Sequence, residues 1–181
     1  MKIVKEKIKK ILLYIKLKLK YKNFNLVIGN NVFISTKSKI ILGKNSKLII
    51  KDNSYISDYT RIIVHDNSKL IIEKNVYISI NSIISSNSEV IIGEDTQIAH
   101  NVTILDTNKV FDNVNIKIRE QGYISKPIVI GEDCWIAAGV IVLPGVILGR
   151  HCIVGANSVV NKQFENNVVI AGTPARKIRD L

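Results

Sequence analysis

The sequence predicts an all-β solenoid, a β-helix of stacked coils. Two observations predict it: an aliphatic residue returns every six positions, and a small or valine residue follows it four places later. Composition agrees, at 46% hydrophobic but only 6% aromatic residues. Most of the apolar content is Ile, Val and Leu, types that favour strands. At 181 residues the chain can bury one full core, and its composition is not that of a disordered segment.

Residues 1–22 come first. They hold nine Lys and one acid, Glu6, whereas residues 23–181 hold 17 bases and 14 acids. Of the net charge of +11, +8 therefore sits on the arm and +3 on the body. A body so nearly neutral points away from nucleic acid. Val4, Ile8, Ile11, Leu12, Ile15 and Leu19 share one helical face, so the arm is predicted as a short basic amphipathic α-helix. It caps the open end of the solenoid, as such stacks require, or makes peripheral contact with an anionic membrane, and the two roles can coexist. No apolar run reaches bilayer length, and no Lys-free leader stands at the start. The expected location is cytoplasmic, at the inner face of the membrane if the arm binds there, with both Cys reduced.

The repeat then occupies residues 23–181 as one domain. Frames open at Ile28, Ile34, Leu42, Ile50, Ile56, Val64, Ile72 and Ile78, with fifth positions Val32, Ser38, Ser46, Ser54, Thr60, Ser68, Val76 and Ser82. Some openers are eight apart rather than six, as at Ile34 and Leu42, which predicts bulges or longer corners there. From Ile92 the pairs are Ile92 with Thr96 and Ile98 with Val102, and Ile104 opens another frame. The pairs Ile130/Cys134, Ile136/Val140, Val142/Val146, Leu148/Cys152 and Val154/Ser158 follow without a slip. Six residues make a short strand and a corner, and three such units close one triangular coil. Coils stack about 4.8 Å apart. The aliphatic residue fills the interior, and only a small one fits beside it. Cys134 and Cys152 stand one full coil apart and are predicted as stacked, buried hydrophobes.

The C-terminal half carries a resemblance. Ile130-Gly-Glu-Asp-Cys-Trp-Ile-Ala-Ala-Gly-Val140, Leu143-Pro-Gly-Val146, Gly155-Ala-Asn-Ser-Val-Val-Asn-Lys162 and Ala171-Gly-Thr-Pro-Ala-Arg-Lys-Ile-Arg179 resemble the hexapeptide-repeat acyltransferases. The branch most resembled is the sugar O-acetyltransferases, which include galactoside and maltose acetyltransferases and enzymes of capsule and O-antigen. The resemblance implies a left-handed parallel β-helix, a homotrimer with sites between subunits, acetyl-CoA as donor with no metal, and a saccharide as acceptor. It implies that Trp135 lines the site and that Ala138 and Ala156 offer backbone to the pantetheine arm. It also places Asn161 and Lys162 near the nucleotide end, and Arg176 and Arg179 at the CoA phosphates, where guanidinium geometry suits bidentate contact.

Between Ile104 and Ile130 the frame opens a gap of 26 residues, 20 more than one hexad. So long an excursion from a solenoid, loop 105–127, is expected to be functional. In the family it covers the acceptor site of a neighbour and carries a histidine that takes the acceptor proton, in a stretch resembling Asp-X-Asn-His. Here the stretch reads Asp106-Thr-Asn-Lys109, so lysine stands at the base position. Lysine acts as a base only if its pKa falls by about three units. Asp106 and Asn108 become candidate acceptor contacts, Asn81 a third, and Glu120 an orienting group.

His65, His100 and His151 occupy corner positions that point outward, and His100, at the root of the loop, is the candidate base among them. The functional expectation is acetyl transfer from acetyl-CoA to a saccharide hydroxyl of a cell-surface polysaccharide or its precursor. A non-catalytic CoA-binding relative, a natural or engineered variant lacking the base, and an amino-sugar N-acetyltransferase remain open. A metal-dependent carbonic anhydrase on the same β-helix type needs three convergent His. The three here lie far apart in the chain and at different hexad positions, which argues against it.

Overall fold

The computed structural model describes Ile15, Leu17, Leu19 and residues 25–181. Apart from the helical state of those three residues, the expectations for the arm lie outside the described part. Within it, Leu17 is buried in the core cluster at 7% exposure, while Ile15 and Leu19 are exposed. The residue that packs is thus not one of the two assigned to the apolar face.

Residues 25–160 wind as a left-handed parallel β-helix of three faces. The first face stacks Asn25–Ile28, Lys47–Ile50, Lys69–Ile72, Glu89–Ile92, Ile128–Ile130 and Ile147–Leu148. The second stacks Phe33–Ile34, Tyr55–Ile56, Tyr77–Ile78, Gln97–Ile98, Trp135–Ile136 and Ile153–Val154, and continues into a final hairpin, Val168–Gly172 against Ala175–Asp180. The third stacks Lys39–Leu42, Arg61–Val64, Ile83–Ser86, Thr103–Leu105, Ile141–Val142 and Val159–Val160.

Every frame opener from Ile34 to Val160 is buried, and the partners from Ser46 onward fill the interior beside them. Where openers are eight apart, the structure has neither bulge nor long corner. It has a four-residue strand with two inward aliphatics, such as Ile40 and Leu42 or Leu48 and Ile50. Two extra residues keep the side-chain alternation in phase, so a longer flat strand accommodates them without disturbing the ladder. An early coil therefore advances by 22, as from Asn53 to Asn75, and a late one by 18, as from Asp133 to His151.

The corners use a device that the frame does not reveal. Asn31, Asn53, Asn75, Asp95, Asp133, His151 and Asn167 stack at one corner, all with positive φ. Asn tolerates that conformation, and its amide ladders onto the next coil, as from Asn53 to Asn75 at 3.2 Å and Asn75 to Asp95 at 2.8 Å. Cys134 and Cys152 are buried free thiols in successive coils. The Cys152 partner and burial hold the Cys134 thiol above its ordinary value.

Candidate active site

On the outer surface of the second face, the residue before each inward aliphatic forms a column: Phe33, Tyr55, Tyr77, Gln97, Trp135 and Ile153. The first three rings stack, at centroid distances of 4.2 and 5.2 Å. At Gln97 the stack stops, and at Trp135 an exposed ring resumes. The omission leaves a groove of about 270 Å³ lined by Tyr77, Ser79, Gln97, Ile98, Ala99, His100 and Trp135. The structure therefore brings together two residues singled out in the sequence, His100 and Trp135. Tyr77, Ser79 and Gln97 escaped that reading. Their signal was present, because an aromatic residue precedes Ile34, Ile56, Ile78 and Ile136 but not Ile98.

His100 is exposed and makes no hydrogen bond through its ring among the described residues. Its carbonyl accepts from the Gly139 N–H at 3.0 Å, and the Ala138 carbonyl accepts from the Asn157 N–H at 2.9 Å. Positions 100, 138 and 156 thus stack along one corner. Ala138 and Ala156 form a lane of small residues running from His100 at the groove toward the C-terminal hairpin. Arg176 and Arg179 are exposed on that hairpin, paired in register with Ala171 and Val169. Asn161 and Lys162 are exposed just after the last strand of the third face. A groove, a lane without bulky side chains and a cationic end fit an extended thioester donor with a phosphorylated tail.

The other candidates lie elsewhere. The excursion leaves between the third and first faces, not beside the groove, so within one chain Lys109 and Trp135 occupy different sides of the prism. Its base is a short hairpin, Thr107–Lys109 against Tyr123–Ser125, closed by the Lys126 N–H donating to the Asp106 carbonyl at 2.8 Å. The Lys109 Nζ lies 3.9 Å from the centre of the Tyr123 ring, a contact that uses it as a cation. Glu120 is exposed and pairs with the adjacent Arg119 at 3.3 Å. Asn108 accepts from the Lys109 N–H at 2.9 Å.

Two acceptor-contact expectations meet a different geometry. Asp106 is fully buried. Its carboxylate accepts from the Asn87 and Ser88 N–H groups at 2.7 and 2.8 Å, so it ties the root of the excursion to the 87–88 turn rather than facing the groove. Asn81 has φ 58° and donates its amide to Asn101 at 2.7 Å, which makes it part of a corner ladder. His65 lies 3.3 Å from the Ser85 hydroxyl at the corner after the third face, and His151 pairs with Asp133 at 2.6 Å at the corner before the second face, outside the residues that line the groove. A larger hollow of about 770 Å³ is lined by His151 and Arg150, but also by Glu94, Asp95, Glu132 and Asp133, an excess of carboxylates that repels phosphate.

Residues 127–162 match the family model described as bacterial transferase hexapeptide (six repeats). Over those residues the chain is similar to the hexapeptide-repeat transferases. Among curated relatives, the galactoside O-acetyltransferase of Escherichia coli K12 is 38% identical over 104 residues, covering 57% of this chain and 50% of that protein. The putative lipopolysaccharide biosynthesis O-acetyl transferase WbbJ of the same organism is 41% identical over 103 residues, 53% of each chain. The chain thus spans about half the length of the curated relatives it matches. Among solved structures, a point mutant of the N-acyltransferase AntD of Bacillus cereus, in complex with dTDP and coenzyme A, superposes with a TM-score of 0.73. It is 23% identical over 90% of this chain and 88% of its own, a likeness of fold.

Proposed function

We propose that this chain transfers an acetyl group from acetyl-CoA to a hydroxyl of a saccharide, as a homotrimer with its sites between subunits. The observation that carries the reading is the groove in which His100 faces Trp135 at the head of a small-residue lane. Tyr77 and Trp135 are two coil steps apart, about 9–10 Å. A sugar ring between them sits at ordinary stacking distance from both aromatic faces, over the Gln97 amide. His100 takes the acceptor proton as the hydroxyl oxygen attacks the thioester carbonyl, and the CoA thiolate leaves. The lane through Ala138 and Ala156 takes the pantetheine arm, and Lys162, Arg176 and Arg179 take the phosphates. The excursion of a neighbouring subunit closes the groove. This division explains why Lys109 and Trp135 are apart in one chain.

The Lys109–Tyr123 contact favours His100 over Lys109 as base. The same contact supports a second reading, N-acetylation of an amino sugar, where an uncharged amine attacks without a strong base. The test is thiol release from acetyl-CoA with galactose and with amino-sugar acceptors, for the native chain, His100→Ala and Lys109→His. The expected result is release with galactose by the native chain and a loss of about a hundredfold or more in His100→Ala. Release only by Lys109→His would place the base in the excursion. Release with amines alone would move the activity to N-acylation.

A further inference from the structure

The ring stack does not end at the groove. It continues away from Trp135, through Tyr77 to Tyr55 and Phe33, over the first coils. Tyr55 and Tyr77 each remain 39% exposed, presenting ring edges and hydroxyls to solvent. The Tyr77 hydroxyl reaches the Ser57 hydroxyl at 3.5 Å. Burial, then the Tyr77 and Asp58 neighbours, hold the Tyr55 phenol above its ordinary value, so it stays a neutral donor. Beside this ridge, Asp58 accepts from Ser35 and pairs with Lys37 at 2.7 Å.

A second observation is independent of the stack. The described non-glycine residues with positive φ are Asn or Asp, except for His151 and Tyr59. Tyr59 has φ 59° at the corner that Asn81, Asn101 and Asn157 occupy in other coils, and it is 59% exposed. A bulky side chain in the left-handed region is strained, and its ring buries little in exchange. Strain held at an exposed aromatic residue is a mark of a binding surface. The Lys37 Nζ lies 5.3 Å from the centre of the Tyr59 ring, which fixes the ring beside Asp58. Aromatic edges, phenol hydroxyls, a carboxylate and an ammonium on one continuous strip match the alternating apolar and hydroxyl surfaces of a sugar chain.

From this we infer that the Phe33–Tyr55–Tyr77 ridge with Tyr59 forms extended subsites for an oligosaccharide acceptor, whose terminal ring enters the groove at Trp135. The inference rests on the acceptor reading of that groove and adds the substrate class, a chain of several sugars rather than a free monosaccharide.

Trp135 is the chain's sole tryptophan, so its fluorescence reports occupancy of the groove. The full-length protein is titrated with galactose and with β-linked galactobiose through galactohexaose. The expected affinity rises with length by about tenfold or more and then levels off. Tyr59→Asn and Tyr55→Leu lose that gain several-fold while leaving galactose binding unchanged. Tyr59→Asn also melts no lower than the native chain, because Asn adopts this φ readily, so its loss of affinity is not a loss of fold. An affinity that does not depend on length overturns the inference. So does a Tyr59→Asn variant that binds every length as the native chain does, or one whose assembly dissociates, which makes the patch a subunit contact. If acetyl transfer to these sugars fails while length-dependent binding persists, the catalytic reading falls and this inference stands. If transfer proceeds without length dependence, this inference alone falls.

Discussion

The early and late coils solve the same packing problem with different materials. An early coil such as that from Asn53 to Asn75 advances by 22, carries four-residue strands on two faces, and places serine at inward corner positions. The hydroxyls of Ser46, Ser54 and Ser68 each donate to a backbone carbonyl, at 2.7 to 2.8 Å. A late coil such as that from Asp133 to His151 advances by 18 and uses two-residue strands on most faces. Cys134, Val140, Val146 and Cys152 fill the corners there. At the corner where Lys51 and Glu73 form an ion pair in the early coils, the later ones carry Gly93, Gly131 and Gly149. A Cβ on Gly131 would lie 2.6 Å from the Gly149 backbone. The wide coils at Lys51 and Glu73 admit side chains at this corner, although the first coil carries Gly29 there, whereas each of the narrow coils carries glycine and holds the corner by backbone contact. The groove lies between the two regimes, bounded by Tyr77 on one side and Trp135 on the other.

The contrast can be broken by substitution. Gly131→Ala should have the largest effect, a loss of about 3 kcal/mol in urea unfolding, because backbone must move to admit the methyl group. Lys51→Ala, at the equivalent corner of a wide coil, should stay within about 1 kcal/mol. Equal losses for the two would mean that coil width does not set the tolerance.

Asp106→Asn comes next. It leaves one of two half-buried N–H groups poorly met, at about 1 kcal/mol, and loosens the root of the excursion. Limited proteolysis should then cut residues 105–127 faster, and an unchanged cutting rate would show that the tie is not what orders the excursion. Ser68→Ala should lose about 1 kcal/mol with its corner hydrogen bond, while Val146→Ser should lose more, by emptying volume and burying an unneeded hydroxyl. The reverse order would contradict the contrast drawn above.

The smallest effect belongs to the exposed Lys37–Asp58 pair. The hydrogen bond from Lys37, then that from Ser35, holds the Asp58 carboxyl below its ordinary value. The stability it adds is present above the ordinary Asp range and disappears as pH falls through the depressed value. Asp58→Asn should therefore be slightly less stable than the native chain near neutrality and equal to it in strong acid. A difference that persists in acid would assign the effect to packing.

The solenoid, its inward residues and the single excursion were legible because burial writes a period into the chain, and Ile130 to Val160 obey it without interruption. The four-residue strands were legible only as phase jumps. A gain of two residues keeps the inward alternation, so a long strand and a long corner read alike from the sequence. Corner ladders such as Asn81 to Asn101 carry little hydrophobic signal and pass for loop polarity. The placement of Asp106 was out of reach, since an acid near a motif position reads as a ligand until its burial is known. The remoteness of Lys109 from Trp135 depends on which faces the excursion connects, a property of the winding and not of any local pattern.

The groove has a simple origin in the column of rings. It exists where Gln97 interrupts the rings between Tyr77 and Trp135. A repeat that grows by copying its coils lays down a continuous row of rings, and a single later change of residue opens a slot of ring thickness wherever it falls. Such a protein need not invent a cavity. It can acquire one by omission, and can move it by one coil through restoring an aromatic residue at one position and removing it at the next.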